Sequence, residues 1–209
     1  MTRFLVVFDV DSTLINEEAI EVLADFANVR IEVARITEQA MLGEIDFKES
    51  LIRRVRMLEG VPEIKLVEVK QSLTLTNGAV ELVSAIHSKG GIAAAVSGGF
   101  MQLLGGIQES LKLDFVQANT LEIHEGYLTG RVIEPVIDRA AKASFLLKLK
   151  QELRLEASMT ISVGDGANDI DMISAAGIGV AFCAKPGLKE VADFVLDDRD
   201  LSKLIDLLP

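Results

Sequence analysis

The chain contains a single cysteine, Cys183, so no intramolecular disulfide can form. One thiol in 209 residues fits a reducing cytoplasm and argues against secretion. Basic charge is also short. Only 21 lysines and arginines stand against 32 aspartates and glutamates, a formal net charge of -11. That balance disfavours nonspecific binding to nucleic acid or to anionic membranes. No apolar run approaches the length that spans a bilayer. The run from Phe4 to Phe8 is cut by Asp9 and Asp11, well short of a signal-peptide core. No extra regulatory domain is expected ahead of Met1 to Phe4. His87 and His124 have no spacing for a relay or a metal site, and the one tyrosine, Tyr127, has no functional claim. Internal repeats and low-complexity tracts are absent. At 49% hydrophobic and 25% charged residues, the composition is that of a soluble globular chain, expected as monomer or homodimer. The length suffices to bury a core without disulfides or structural metals.

After residue 78, apolar runs alternate with helical patterns, which points to a parallel α/β architecture. Phe4–Phe8, Ile92–Val96, Met159–Val163 and Ile178–Phe182 read as buried strands, each ending in turn chemistry. Asp114–Ala118 is a further strand and Phe194–Leu196 a short edge strand. Helices fit Ala79–Ser88, Phe100–Leu111, Arg139–Arg154 and Asn168–Ala176. Leu121–Val132, with turn signals at Glu125-Gly126 and Thr129-Gly130, reads as a small hairpin. Between Ile15 and Leu75 the alternation breaks into helical segments at Glu17–Ala27, Ile31–Leu42, Phe47–Leu58 and Pro62–Leu73. The expected organisation is a Rossmann-like parallel sheet flanked by helices, made of residues 1–14 and 76–209. Residues 15–75 are expected to form an inserted four-helix-bundle cap, or lid.

Asp9-Val10-Asp11-Ser12-Thr13 directly follows the first strand, and ligands of open α/β sheets collect at such carboxyl ends. Residues two apart in an extended segment point the same way, so both carboxylates can address one site. An ionised Asp beside a divalent metal can attack phosphorus, while a protonated neighbour can donate to a leaving oxygen. Taken alone, the pair could equally end a strand and cap a helix. Three further strand ends carry matching chemistry. Ile92–Val96 runs into Ser97-Gly98-Gly99, a hydroxyl followed by backbone open to an anion. Lys142 lies early in the next long helix, where an ammonium suits a phosphoryl group, in competition with the surface bases Arg139, Lys148 and Lys150. Met159–Val163 feeds Gly164-Asp165-Gly166-Ala167-Asn168-Asp169, whose oxygen ligands suit a hard cation such as magnesium.

DVDST, SGG, a lysine and GDGAND, in that order and at those strand ends, resemble the haloacid dehalogenase superfamily of phosphatases. The resemblance covers nearly the whole chain. It implies Asp9 as nucleophile, forming an aspartyl-phosphate, and Asp11 as general acid and base, with its carbonyl on Mg2+. It implies Asp165 as a further metal ligand, Ser97 and Gly98 as phosphate binders, and Lys142 paired with phosphate and Asp9. Asn168, Asp169 and Thr13 would support the site. DVDSTLINEE, SLIRRVRML, AVSGGF and VGDGANDIDM are similar to the branch acting on O-phospho-L-serine. That likeness implies hydrolysis to L-serine and phosphate, the last step of serine biosynthesis. It implies Arg54 for the substrate carboxylate, Glu18 for its ammonium, and Met41 and Phe47 on the apolar side.

Plainer readings exist for several of these residues. Arg53 and Arg56 share a helix face and suit solvent; Glu18 suits a first helical turn; Met41 and Phe47 suit a core. Cys183 suits a buried inert thiol. Among functions, other small phosphomonoesters, or phosphoryl transfer to an alcohol such as homoserine, would use the same core with another lid. A signalling receiver would lack a use for Asp11 and the lid. A nucleotide-binding module is opposed by the incomplete glycine fingerprint of GDGAND and the lack of any GK[ST] loop.

Overall fold

Leu5–Phe8 (β1) is apolar at every position and buried at every position, as the centre of a parallel sheet requires. The computed structural model describes residues 3–209, so Met1 and Thr2 of the expected core lie outside the described residues. Four helices follow β1: α1 (Ala19–Ala24), α2 (Arg30–Met41), α3 (Phe47–Arg56) and α4 (Lys65–Ser72). Then come α5 (Ala79–Ser88), β2 (Ile92–Phe100), α6 (Met101–Leu111), β3 (Phe115–His124) and β4 (Tyr127–Ile133). After these run α7 (Arg139–Glu152), β5 (Thr160–Gly164), α8 (Ile170–Ala175) and β6 (Ile178–Phe182). The last elements are α9 (Pro186–Lys189), β7 (Phe194–Leu196) and a 3-10 stretch, Leu201–Leu207. The sheet order is β4-β3-β2-β1-β5-β6-β7. Every neighbouring pair is parallel except β3 with β4.

Strand alternation divides the interior. Val6 and Phe8 of β1 join Ala93 and Ala95 of β2 in one core, under Leu82, Val83 and Ile86 of α5. Leu5 and Val7 join Ala94 and Val96 on the other face, against Phe145, Leu146 and Leu149 of α7. A third apolar cluster takes Ile20 and Leu23 of α1, Leu51 and Val55 of α3, and Leu66 and Val69 of α4. These helices do not bury their apolar faces only against one another. Phe100, Leu103 of α6, and Leu121 and Leu128 of the β3–β4 hairpin complete the cluster.

Several elements depart from their expected bounds. β2 continues through Ser97–Phe100 as an irregular stretch whose register against β3 shifts. The expected hairpin is present with its turn at Glu125-Gly126, but its first arm is continuous with the expected strand, so one long β3 replaces two separate elements. The expected helix from Asn168 begins instead as a 3-10 turn, Ala167–Asp169, because Asp169 bonds back to the Asp165 and Gly166 amides. α9 and the 3-10 stretch at Leu201–Leu207, absent from the sequence reading, are short and carry little periodicity. The chain leaves and rejoins the sheet side by side: Ile15 pairs with Leu75, Asn16 N–H donates to the Thr74 carbonyl, and Thr76 N–H to Leu14. No helix among the described residues is long and apolar enough to cross a membrane.

Candidate active site

β2, β1 and β5 are adjacent in the sheet, and their carboxyl ends bring Ser97, Asp9 and Asp165 to one edge. The Asp9 amide still donates to Val163 of β5 at 2.9 Å, which holds the start of the turn to the sheet. Beyond Asp9 the backbone does not stay extended. Residues 10–14 coil into one wide turn, with Ile15 N–H reaching back to the Val10 carbonyl, and Ser12 takes the left-handed conformation at φ 55°. The segment is therefore a coil and not one extended stretch, yet Asp9 and Asp11 are each extended themselves and, as expected, both line one pocket. Asp11 turns its carboxylate to the Ala19 amide at 2.8 Å and to Ser97 Oγ at 3.0 Å.

Below Asp9 lies a buried charge cluster. Lys142 is fully buried, and its Nζ sits 2.8 Å from Asp9 Oδ1 and 2.7 Å from Asp169 Oδ1. Its place follows from α7, whose first turn is capped by Asp138 accepting from the Ala141 amide at 2.9 Å. Burial would lower the Lys142 pKa, but Asp169 and Asp9 outweigh it and raise it. Burial, then repulsion from Asp169, pushes Asp9 up to about 8 despite Lys142. Asp165 is raised well above its ordinary value, first by burial and then by Asp9. Burial also raises Asp11, against its bonds from Ala19 and Ser97. One ammonium among three carboxylates leaves negative charge uncompensated.

That charge is the observation by which a cation can be judged. Carboxylate oxygens of Asp9, Asp165 and Asp169 lie within 4.8 Å of one another. The buried Asp165 Oδ1 and Asn168 Oδ1 have no hydrogen-bond partner. Hard oxygen donors, unpaired and crowded, fit a divalent cation such as Mg2+ or Ca2+.

Beside this cluster, Ser97 Oγ accepts from the Gly99 amide at 2.7 Å. Asn119 donates to the Gly98 carbonyl at 2.9 Å and accepts from the Ile137 amide at 2.7 Å, fixing the loop from behind. A Cβ at Gly98 would fall 2.3 Å from Phe47 Cζ, and one at Gly166 would fall 2.2 Å from Met41 Cε. So Phe47 and Met41 press directly on the loops that follow β2 and β5.

The pocket above is lined by Asp9, Asp11, Gly98 and Asn168 from the sheet side. Glu18, Met41, Phe47 and Arg54 line it from the helical side. Arg54 is 4% exposed; it donates to Thr37 Oγ1 at 3.0 Å and to the Ser50 carbonyl at 3.3 Å, under the Phe47 ring. Burial lowers its pKa, with Glu18 and Asp11 acting the other way. Glu18 is half-buried and accepts from Ser12 Oγ at 2.6 Å; burial, then Asp11, pushes it up to about 8. Ser97, Lys142, Asp165 and Asp169 lie beside or beneath the pocket and not on its wall. Thr13 is fully buried with its hydroxyl unpartnered. Arg53 and Arg56 are exposed, as are Arg139 and Lys148.

Sequence reasoning missed Ser12, Thr37 and Asn119, and the apolar walls Ile20, Leu51 and Phe100. Ser12 was open to notice within DVDST. Thr37 and Asn119 carry no local signal, because their partners are 17 and 21 residues away.

Residues 5–177 match the family model described as haloacid dehalogenase-like hydrolase. The chain is 44% identical over 204 residues to the phosphoserine phosphatase of Lactococcus lactis, covering 98% of this chain and 94% of that protein. It is 47% identical over 207 residues to phosphoserine phosphatase SerB2 of Mycobacterium tuberculosis, covering 99% of this chain but 51% of that longer protein. A solved structure described as a phospho-aspartyl intermediate analogue of phosphoserine phosphatase superposes with a TM-score of 0.97 at 40% identity, over 100% of both chains. With a central sheet, acidic cluster and sequence all in agreement, the chain belongs to the haloacid dehalogenase-like hydrolases and, within them, to the phosphoserine phosphatase family.

Proposed function

We propose that this protein hydrolyses O-phospho-L-serine to L-serine and phosphate, with Asp9 as the nucleophile. One observation carries the reading: the pocket is polarised. Asp9 and Gly98 line it from the sheet side, with the buried Lys142 behind Asp9, and the opposite charges Arg54 and Glu18 line it from the helical side. A phosphomonoester bearing a carboxylate and an ammonium matches both sides at once. In the first step an Asp9 carboxylate oxygen attacks phosphorus, and the bond from phosphorus to the seryl oxygen breaks. Asp11, whose pKa burial raises, acts as the general acid and gives its proton to that oxygen, releasing L-serine. In the second step Asp11 takes a proton from water as the water attacks the phosphorus of the aspartyl-phosphate. Phosphate leaves and the Asp9 carboxylate returns. Ser97 and the Gly98 backbone hold the phosphoryl oxygens, and Lys142 balances their charge.

Asp9, Asp165 and Asp169, with the Asp11 carbonyl, would hold Mg2+, which when bound offsets charge on the phosphoryl group. Asn168 and Thr13 support the same site. Residues 15–75 serve as a cap that excludes water, hinged where Leu14–Asn16 run beside Thr74–Thr76. Met41 and Phe47 form its apolar contact with the core. The single free thiol, Cys183, fits a reducing cytoplasm.

Purified protein with phosphoserine and Mg2+ should release phosphate at a rate that Asp9→Asn abolishes. Turnover no greater than that of Asp9→Asn would overturn the reading.

A further inference from the structure

Arg199 belongs to none of the sequence motifs and lies outside the pocket, on the segment between β7 and the closing 3-10 stretch. Its guanidinium nevertheless meets three groups at once. Nη2 donates to the Ser12 carbonyl at 3.2 Å, and Nη1 donates to Asn16 Oδ1 at 3.3 Å. The plane rests over the ring of Phe182, the last residue of β6, at 5.8 Å from its centroid. The residues that follow are pinned to the core. Leu201 N–H donates to the Asn77 carbonyl at 2.8 Å, and a Cβ at Gly78 would strike the Ser202 amide. Arg199 is thus presented from a fixed base, although its side chain remains open to solvent.

What it grips matters more than where it sits. Ser12 is the residue of the nucleophile turn held in the left-handed conformation, at φ 55° and ψ 0°, where a non-glycine residue is strained. Its Oγ donates to Glu18 Oε1 at 2.6 Å. Asn16, the second acceptor, donates in turn to Thr74 Oγ1 and the Leu75 carbonyl, at the crossing where the helical insertion leaves and rejoins the sheet. A guanidinium presents its donors in a rigid fork that suits two such acceptors beside a ring, whereas an ammonium is a point charge on a flexible stem.

The geometry points to Arg199 as a positioning residue that fixes Ser12, and through the Ser12 hydroxyl orients Glu18 for the substrate ammonium. This role rests on the proposed phosphoserine reading. Arg199 touches neither the phosphate cradle nor Lys142, so its loss should fall on amino-acid recognition and not on phosphoryl transfer.

The test is steady-state kinetics of Arg199→Ala, Arg199→Lys, Ser12→Ala and the Arg199→Ala/Ser12→Ala double variant, with Mg2+. Arg199→Ala should raise KM for phosphoserine by about five- to tenfold, the size of one ordinary hydrogen bond, because Arg199 acts on Glu18 only through Ser12. Its kcat should stay within about twofold, and the inhibition constant of inorganic phosphate should not move. Arg199→Lys should recover part of the KM loss. The double variant should lose no more than the worse single variant, because both act on one chain of contacts. An unchanged KM, an equal weakening of inorganic phosphate, or multiplicative losses in the double variant would overturn the role. If the wild-type protein does not turn over phosphoserine at all, the substrate reading fails, and the role falls with it.

Discussion

Replacing Arg54 by Met isolates the recognition of the amino-acid end of the substrate. In the folded protein the guanidinium is 4% exposed and faces a pocket whose other titratable walls, Glu18, Asp9 and Asp11, are acidic. A substrate carboxylate entering without Arg54 would find no countercharge. Removing one partner of a buried charge pair costs about 3–5 kcal/mol, and the lower end applies because the pocket communicates with solvent. At about 1.4 kcal/mol per tenfold, kcat/KM for phosphoserine should fall roughly 150-fold. Activity on p-nitrophenyl phosphate, which has no carboxylate, should change by less than about threefold. Folding stability should move by no more than about 2 kcal/mol. The lost bonds to Thr37 and Ser50 are offset by relief of the guanidinium's burial. Paired kinetics on the two substrates, with a thermal melt of each protein, make the comparison. Equal losses on both would refute the reasoning, and would mean that Arg54 acts only by tying α3 to Thr37 of α2.

Gly98→Ala drives a methyl toward the end of the Phe47 side chain, so the ring must swing away. KM should rise while the melting temperature barely changes; a large stability loss instead would show that the loop backbone, not Phe47, takes the strain. Glu18 is held protonated up to about 8 by burial and by Asp11, and only its ionised form pairs with an ammonium. The KM for phosphoserine should therefore fall as pH rises toward about 8, and Glu18→Gln should flatten that dependence. An unaltered profile in Glu18→Gln contradicts the assignment. Chelation should abolish activity and lower the melting temperature. Mg2+ at about a hundred times its dissociation constant adds about 2.7 kcal/mol, or roughly 5–10 °C for a chain of this size. A melt indifferent to Mg2+ would remove the cation from the Asp9, Asp165 and Asp169 cluster.

The sheet was readable because the apolar stretches of its parallel strands are closed by turn chemistry. Leu5–Phe8 and Ile178–Phe182 need no tertiary information to be seen. The site's core was readable for a related reason: DVDST, SGG and GDGAND each sit at the end of such a strand, and Lys142 in α7 was picked out by motif order. What escaped was set by long-range contact. β3 extends to His124 only because β4 returns beside it, and in the coiled turn after Asp9 the Asp11 carboxylate is held by the Ala19 amide and the Ser97 hydroxyl, both of which lie outside DVDST. Thr37 and Asn119 acquire their places from partners on other elements. Nor did the pattern of the insertion reveal that its apolar faces close on α6 and the β3–β4 hairpin.

The most direct test of Asp9 as nucleophile is to mix the Mg2+-loaded protein with phosphoserine, quench in acid within the first turnovers, and map the digest by mass spectrometry. A phosphoryl group should appear on the carboxylate of Asp9 and vanish as substrate is exhausted. Active turnover with no phosphoryl group on the peptide containing Asp9, or with one on Asp11 instead, would contradict the mechanism.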